Sequence, residues 1–320
     1  MRIVDIIVPC YNEEEVIETF FTETEKIVTK IPDFSFNYLF VNDGSKDNTL
    51  QILRSLAKQY DKVKYISFSK NFGKEAAMFA GLENSRGDYV IIMDADLQHP
   101  PALIPQMTDA ILEGHDCCAA YRTTRKGEAR FRSFLSKSFY KLNNRLSNVE
   151  LPYGAVDFRI MSRQMVDAII NLPETLRFSK GIFSWIGFDT KWIPYENVER
   201  TIGTTKWSLK GLFFYAIDGI ASFSVAPLRL VSIMGASISV IAFIYALIIF
   251  IKTLCFGIDA PGYASLIIIV LFLGGIIELS LGIIGEYIAR IFIESKGRPI
   301  YISKESNIEH IGRKDMNDEK

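Results

Sequence analysis

Short apolar runs rich in β-branched residues alternate with helical periodicity over the first 120 residues. Ile3 to Val8 predicts a strand that stops at Pro9, and Phe36 to Val41 predicts a second, with Asn42-Asp43-Gly44 as its turn. Asp47 stands where it can cap a helix running to about Tyr60. Lys64 to Phe68 is a third strand, followed by a helix from about Lys74 to Asn84. Tyr89 to Met93 is a buried-type fourth strand that ends at Asp94. Pro100-Pro101 opens a helix to about Glu113, and Cys117 to Tyr121 predicts a fifth strand. Strands alternating with helices predict an α/β fold, a mostly parallel sheet with helices on both faces. In such sheets ligands sit at the carboxyl ends of the strands. Pro9, Asn42-Asp43, Ser69-Lys70-Asn71 and Asp94 to Asp96 all fall there, so four polar clusters converge on one rim.

The pattern changes further along. Gly127 to Asn148 is helical in period: Phe131, Leu135, Ser138 and Leu142 share a face, with Arg130, Lys137 and Lys141 beside it. It reads either as a surface helix with a wet basic side or as an interfacial helix facing anionic lipid, and its place ahead of apolar segments favours the second. Residues 230 to 251 carry no charge, and at about 1.5 Å per residue they are long enough to span a bilayer core of ~30 Å. Residues 260 to 277 are also uncharged; Glu278 interrupts, and apolar residues resume to Gly285. The link between the runs is short, which predicts an antiparallel membrane hairpin with both flanks on one side. Lys206, Lys210 and Arg229 precede it and Arg290, Lys296 and Arg298 follow, so the positive-inside bias places the soluble part in the cytoplasm. Trp207 to Phe223 reads as an amphipathic juxtamembrane helix, and the polar segment from Ser303 as a mobile tail. The expected organisation is a catalytic domain over 1–205, a juxtamembrane helix over 206–228, a two-helix transmembrane hairpin over 229–293 and a cytoplasmic tail over 294–320.

Composition narrows the partners. The 320-residue chain has a formal net charge of -1, so nothing global points to nucleic acid. Charge is locally uneven: residues 122 to 145 hold eight Lys or Arg against Glu128 alone, an anion-facing stretch. The four cysteines have neither metal-ligand nor redox spacing. The chain enters its first strand without a signal-peptide layout.

Candidate chemistry centres on Asp94-Ala95-Asp96. Two carboxylates flanking one alanine after a buried strand can turn toward one Mg²⁺ or Mn²⁺, which prefer hard oxygen ligands and keep water and substrate phosphates. Such a pair also arises as a simple turn; Gln98 close behind and the basic stretch beyond favour the metal. Asp43 can accept hydrogen bonds from a base edge or a ribose, or simply form the turn before Gly44. Asp157 lies among large apolar residues, where it can be oriented on a reacting oxygen; Arg159 is a partner for that carboxylate or for a phosphate. Arg200 to Trp207 is a basic loop at the point where a lipid phosphate would arrive, with Arg200 and Lys206 as its principal cations. His99, His115 and His310 have no ligand or triad spacing and read as structural. There is no Gly-x-x-x-x-Gly-Lys-Ser/Thr and no Gly-x-Gly-x-x-Gly, which removes support for the usual ATP and dinucleotide sites.

Taken together, Val8-Pro9-Cys10-Tyr11-Asn12-Glu13, Val41 to Thr49, Asn71-Phe72-Gly73-Lys74, Asp94 to Pro101, Asp157-Phe158-Arg159 and Arg200 to Trp207 carry a resemblance. The chain resembles family 2 glycosyltransferases of the polyprenyl-phosphate type, relatives of dolichol-phosphate mannose synthase, and most of all the membrane-anchored glucosyltransferases of O-antigen glucosylation. The likeness covers about residues 3 to 300. It implies a GT-A-type nucleotide-sugar-binding domain and inverting transfer of a sugar, glucose by preference, from a UDP-linked donor to undecaprenyl phosphate at the bacterial inner membrane. By the resemblance, Pro9, Tyr11, Glu13 and Asp43 line the nucleotide pocket. Asp94, Asp96 and Gln98 hold the metal and donor diphosphate, Asp157 is the acceptor-side base or orienting carboxylate, and Arg122, Arg200 and Lys206 engage phosphates. Relatives imply a homo-oligomer, a tetramer. Two departures stand out: Gly154-Ala155-Val156 where the family often has two or three glycines, and Thr205 where serine is usual. Alternatives are another sugar (N-acetylglucosamine, galactose, mannose or an aminoarabinose type), another acceptor lipid such as diacylglycerol, or a non-catalytic sugar-lipid-binding scaffold.

Overall fold

The computed structural model describes residues 1–124, 154–196, 222–256 and 262–308. The expected basic helix over 127–148, Arg200 and Lys206 with their loop, and nearly all of the juxtamembrane segment lie outside the described residues.

The first half builds as its apolar pattern dictates: β1 (Arg2–Cys10), α1 (Ile17–Val28), β2 (Phe34–Asn42), α2 (Thr49–Gln59), β3 (Val63–Phe68), α3 (Lys74–Asn84) and β4 (Tyr89–Ile92). A single 3₁₀ turn over Pro101–Leu103 then leads into α4 (Ile104–Leu112), followed by β5 (Cys117–Thr124). β6 (Ala155–Ser162), α5 (Arg163–Ile170), α6 (Ser179–Trp185) and β7 (Thr190–Glu196) follow. The long helices α7 (Ala226–Phe256) and α8 (Tyr263–Ser295) and a last strand β8 (Ser303–Ser306) close the described chain.

All eight strands form one sheet in the order β7-β5-β6-β4-β1-β2-β3-β8. The two-residue period of β1 sends Val4, Ile6 and Val8 to one face, against Phe20, Leu53 and Ile104, and Ile7 to the other, against Ala77, Ala80 and Met165. Both faces of the central strands are therefore dry, which is why those strands read as continuous apolar runs. α3 lies close against this sheet because its inward positions are small: a Cβ on Gly81 would fall 2.2 Å from Ile7 Cγ2.

The sheet is mostly parallel, as expected, with two strands reversed: β5 and β7 run in the direction of the central strands, while β6 and the edge strand β8 run against them. β4, β1, β2 and β3 run parallel, whereas β6 is antiparallel to both β4 and β5. Periodicity reports that a segment is a strand but not its direction. The direction has a consequence: β6 pairs Ile92 with Arg159, and extending that register brings Asp157 opposite Asp94. An antiparallel strand thus delivers a residue near its start to the rim where the parallel strands end.

One helical stretch among the described residues is long and apolar enough to cross a membrane, Ala226–Ile249 within α7. The second apolar run lies in α8, whose Ile269, Phe272, Leu279 and Leu281 are exposed. The C-terminal end of α8 is fastened to the segment between α5 and α6: the Glu294 carboxylate accepts from the Thr175 and Leu176 amides at 2.9 and 2.8 Å. Tyr287 donates to the Ser224 carbonyl, just ahead of α7, at 2.6 Å.

The segment from Ser303 is no free tail as far as residue 308. β8 pairs antiparallel with β3 and covers an edge that would otherwise expose unpaired backbone. Arg54 forks onto Glu305 at 2.8 and 2.5 Å, and the Tyr65 hydroxyl donates to the same carboxylate at 2.6 Å. Arg54 first, and then Tyr65, hold the Glu305 carboxyl down to about 2. A depressed folded pKa contributes stability above the ordinary glutamate value of about 4.3 and loses it as pH falls through the folded one. Hydrogen exchange at the β8 amides is therefore expected to stay protected at pH 5 and open toward pH 2. Glu305→Ala should remove this protection at pH 7 and, because the pair is exposed, lower global stability by no more than about 1 kcal/mol.

Candidate active site

The rim is assembled from loops that hold one another by backbone hydrogen bonds. Asn12 takes a left-handed conformation (φ 54°) directly after β1. Its amide donates to Ser45 Oγ at 2.9 Å, and its side-chain oxygen accepts from the Lys46 amide at 2.8 Å. The Glu13 amide donates to Thr49 Oγ1, and Asp47 accepts from both the Glu14 and the Thr49 amides. The motif after β1 and the motif after β2 are thus a single laced unit. Pro9 sits inside β1, in register with Val41, and Tyr11 follows it half-buried.

Asp43 is buried and accepts from the amides of Phe72 and Gly73 at 2.6 and 2.9 Å. Burial raises its pKa while these two amide bonds pull the other way. The carboxylate fastens the β2 turn to the segment that starts α3. Each oxygen keeps a further lone pair for a ligand.

Among the described residues Leu97 (φ 56°) is the second non-glycine residue at positive φ, in the loop after β4. A left-handed leucine costs roughly 1–2 kcal/mol, and such strain collects at functional loops. It turns the loop so that Asp96 Oδ1 accepts from the Gln98 amide at 3.1 Å. Gln98 Oε1 in turn receives Arg122 Nη2 at 3.4 Å, and Arg122 Nε donates to the Tyr195 hydroxyl at 2.9 Å. His99 is buried, stacked on Phe158 with centroids 5.4 Å apart, and burial lowers its pKa, so it is a neutral packing residue.

At the centre stands Lys74. Its ammonium lies 2.7 and 2.8 Å from the two Asp94 oxygens and 2.7 Å from Asp157 Oδ2. Burial pushes the Asp157 carboxyl up, but Lys74, followed by Lys180, outweighs it and holds the group well below the usual carboxylate range. Burial raises Asp94 as well, and Lys74 again reverses the sign. Burial opposes the Lys74 charge, yet Asp157 and Asp94 keep its pKa above the ordinary lysine range. The three groups are ionised together near neutrality.

The structure therefore brings Asp94, Asp96, Gln98, Arg122 and Asp157 to one rim, with Asp43 beneath the adjoining loop. Of the two readings for Arg159, partner of the Asp157 carboxylate or of a phosphate, burial fits the first: its charge acts on Asp157 from within the core. It lies on the same face of β6 as Asp157 but one layer deeper, buried, with its guanidinium 3.8 Å from the Phe183 ring centroid and Nη2 on the Val156 carbonyl. It is a core cation, not a rim residue. Sequence reasoning noted Lys74 within a motif without giving it a task, and it passed over Tyr195. Lys74 had a usable signal, as the first residue of a helix that follows a strand's carboxyl end; the Tyr195 contact, 73 residues away from Arg122, had none. Tyr195→Phe leaves Arg122 Nε without that partner. It is expected to raise the donor KM about threefold to tenfold with little change in kcat, measured by steady-state kinetics.

The donor set suits a hard divalent cation. Among the described residues no group of three or more His, Cys, Asp or Glu gathers as a closed metal cage. Asp94 and Asp96 offer a partial carboxylate set that leaves positions for water and phosphate, the pattern Mg²⁺ favours.

Residues 5–170 match glycosyl transferase family 2, and residues 226–291 match the GtrB C-terminal hairpin. The chain belongs to glycosyl transferase family 2. A putative glycosyltransferase, CsbB, of Bacillus subtilis (strain 168) is 49% identical over 306 residues, covering 96% of this chain and 92% of that one. The bactoprenol glucosyl transferase of Shigella phage SfV is 41% identical over 301 residues, covering 94% of this chain and 98% of that one. Among solved structures, mannosyl-3-phosphoglycerate synthase from Rubrobacter xylanophilus matches with a TM-score of 0.48 and 18% identity, over 73% of this chain and 75% of that one. This family 2 enzyme is a glycosyltransferase with an eight-stranded α/β sheet and a membrane-length apolar helix.

Proposed function

We propose that the enzyme transfers a sugar, glucose by preference, from a UDP-linked donor to polyprenyl phosphate, with inversion at the anomeric carbon. The observation that carries this reading is the fastening of α8 through Glu294 to the segment between α5 and α6, which ties the sheet and its rim to the helix pair that holds the membrane-length stretch Ala226–Ile249. Full-length relatives described as bactoprenol glucosyl transferases support the same acceptor. α7 and α8 both span the bacterial inner membrane in this reading, with the catalytic domain on the cytoplasmic side, and the chain assembles as a homo-tetramer.

Pro9, Tyr11, Glu13 and Asp43 frame the nucleotide pocket. Asp94 and Asp96, with Gln98 beside them, would hold Mg²⁺ or Mn²⁺, which would supply positive charge to the departing diphosphate. Arg122, steadied by Tyr195, faces the same phosphates, and Arg200 and Lys206 receive the lipid phosphate. The acceptor is already an anion. Its phosphate oxygen lone pair forms the new bond to the anomeric carbon, the bond from that carbon to the donor β-phosphate oxygen breaks, and the electron pair leaves with UDP. No proton has to be removed, so catalysis rests on alignment and on cations placed where charge accumulates.

The test is transfer by purified protein with Mg²⁺ or Mn²⁺, undecaprenyl phosphate and a radiolabelled panel of UDP- and GDP-sugars. A metal-dependent lipid monophosphate sugar from UDP-glucose is expected. A product formed with diacylglycerol but not with undecaprenyl phosphate would overturn the acceptor, and a product from another donor would reassign the sugar.

A further inference from the structure

The acceptor chemistry leaves Asp157 without the usual task of a carboxylate in this position. A phosphate needs no base, and Asp157 is bound by an ammonium at 2.7 Å. Lys74, by contrast, is placed for work on anions. It is the first residue of α3, where unpaired helix amides add positive potential, and it is half-exposed toward the rim. The neighbouring Glu75 does not neutralise it, because its carboxylate is turned to α6, where it accepts from the Ser179 amide at 3.0 Å and from the Ser179 hydroxyl. Lys74 also touches both oxygens of Asp94, one of the two carboxylates offered to a divalent cation.

We propose that Lys74 is the residue that presents positive charge to the reacting phosphates. Asp157 acts through it as a positioning residue rather than as a proton acceptor, and Lys74 covers Asp94 only until a divalent cation binds there. The phosphate part of this inference rests on the transfer reaction set out above; the Asp94 part does not. In the resting protein Lys74 balances one of two carboxylates that would otherwise repel across the rim. When a divalent cation binds at Asp94, Lys74 keeps its bond to Asp157 and turns its remaining donors to phosphate oxygens. Asp157 fixes where that ammonium stands. This also accounts for the antiparallel setting of β6, which sets Asp157 opposite Asp94 with a lysine's reach between them.

A double-mutant cycle with a metal titration tests this. Lys74→Gln and Asp157→Asn are each expected to lower kcat about 100-fold, as loss of a transition-state charge partner does. Lys74→Gln/Asp157→Asn should fall no more than about twofold below the weaker single variant, because Asp157 has no task once Lys74 is gone. A double variant near the product of the two losses, on the order of 10⁴-fold, would mean that Asp157 acts independently and would overturn the proposal. Lys74→Gln unpairs two carboxylates, so Lys74→Arg is measured beside it. A retained cation should keep transfer within about tenfold of wild type, and a loss as deep as that of the glutamine variant counts against the charge being what matters. The second readout needs no turnover: Mn²⁺ binding to nucleotide-free protein, followed by electron paramagnetic resonance. Lys74→Gln is expected to bind Mn²⁺ about tenfold more tightly than wild type, since a competing cation has been removed from Asp94. Unchanged or weaker binding would overturn Lys74's hold on Asp94. If wild-type protein makes no lipid monophosphate sugar, the transfer reading falls, and the Mn²⁺ titration still decides whether Lys74 occupies Asp94.

Discussion

Asp96→Asn is expected to reduce sugar transfer by about 10³-fold while leaving the folded protein intact. The separation of the two effects follows from the loop. Asp96 Oδ1 accepts from the Gln98 amide, and an asparagine oxygen can accept the same bond in the same place. The strained Leu97 conformation and the onward chain from Gln98 to Arg122 therefore survive the change. Only the negative charge is lost, and with it a hard ligand for the cation that supports diphosphate departure. Asp94→Asn is a less clean experiment, because it also takes a partner from Lys74. Transfer of radiolabelled sugar to undecaprenyl phosphate is measured beside thermal unfolding in the same detergent. Activity within tenfold of wild type, on the order of 1.4 kcal/mol in barrier height, would remove Asp96 from the metal-binding role.

Much of the geometry of the candidate rim could be read from the sequence. Apolar runs that stop at Pro9, Asp43 and Asp94 report dry strands entering a polar edge, and the strand-helix alternation says that these edges lie side by side. The α3 boundaries expected from the apolar period, Lys74 to Asn84, are those observed: its small inward residues pack on the sheet, and Gly73 at φ 97° breaks the backbone just before it. What escaped was relational. Strand direction is set by the connection across the sheet, so an antiparallel β6 could not be separated from a parallel one, and the pairing of Asp157 with Asp94 stayed hidden with it. Arg159 could be read as a partner for Asp157 or for a phosphate, because its charge was visible and its depth was not; it lies in the core, against the Phe183 ring and with Nη2 on the Val156 carbonyl. The polar segment from Ser303 looked like a solvated tail, yet polarity suits an edge strand equally well. Only the Arg54 and Tyr65 groups waiting on the far side of the domain distinguish the two.

Gly44→Ala is expected to cost roughly 2–4 kcal/mol and to lower the melting temperature by roughly 5–15 °C. Gly44 has φ +64°, a region that disfavours any side chain. Space makes the position stricter still. A Cβ there would lie 2.3 Å from the Lys70 carbonyl carbon and 2.7 Å from the Asn71 nitrogen. These are backbone atoms, so no rotamer change can yield; the segment after β3 has to move as a unit. The same segment supplies the Phe72 and Gly73 amides that Asp43 holds, and it leads directly into Lys74. Displacing it loosens a buried carboxylate and shifts the ammonium between Asp94 and Asp157, so transfer should fall further than the folded fraction alone explains. Because the obstruction is main chain, Gly44→Ala/Lys70→Ala should melt no higher than Gly44→Ala. Recovery in that double variant would show that the Lys70 side chain, not the backbone, sets the limit. A melting temperature within about 2 °C of wild type for Gly44→Ala would mean that the turn and the α3 entry are not packed as tightly as their contacts require.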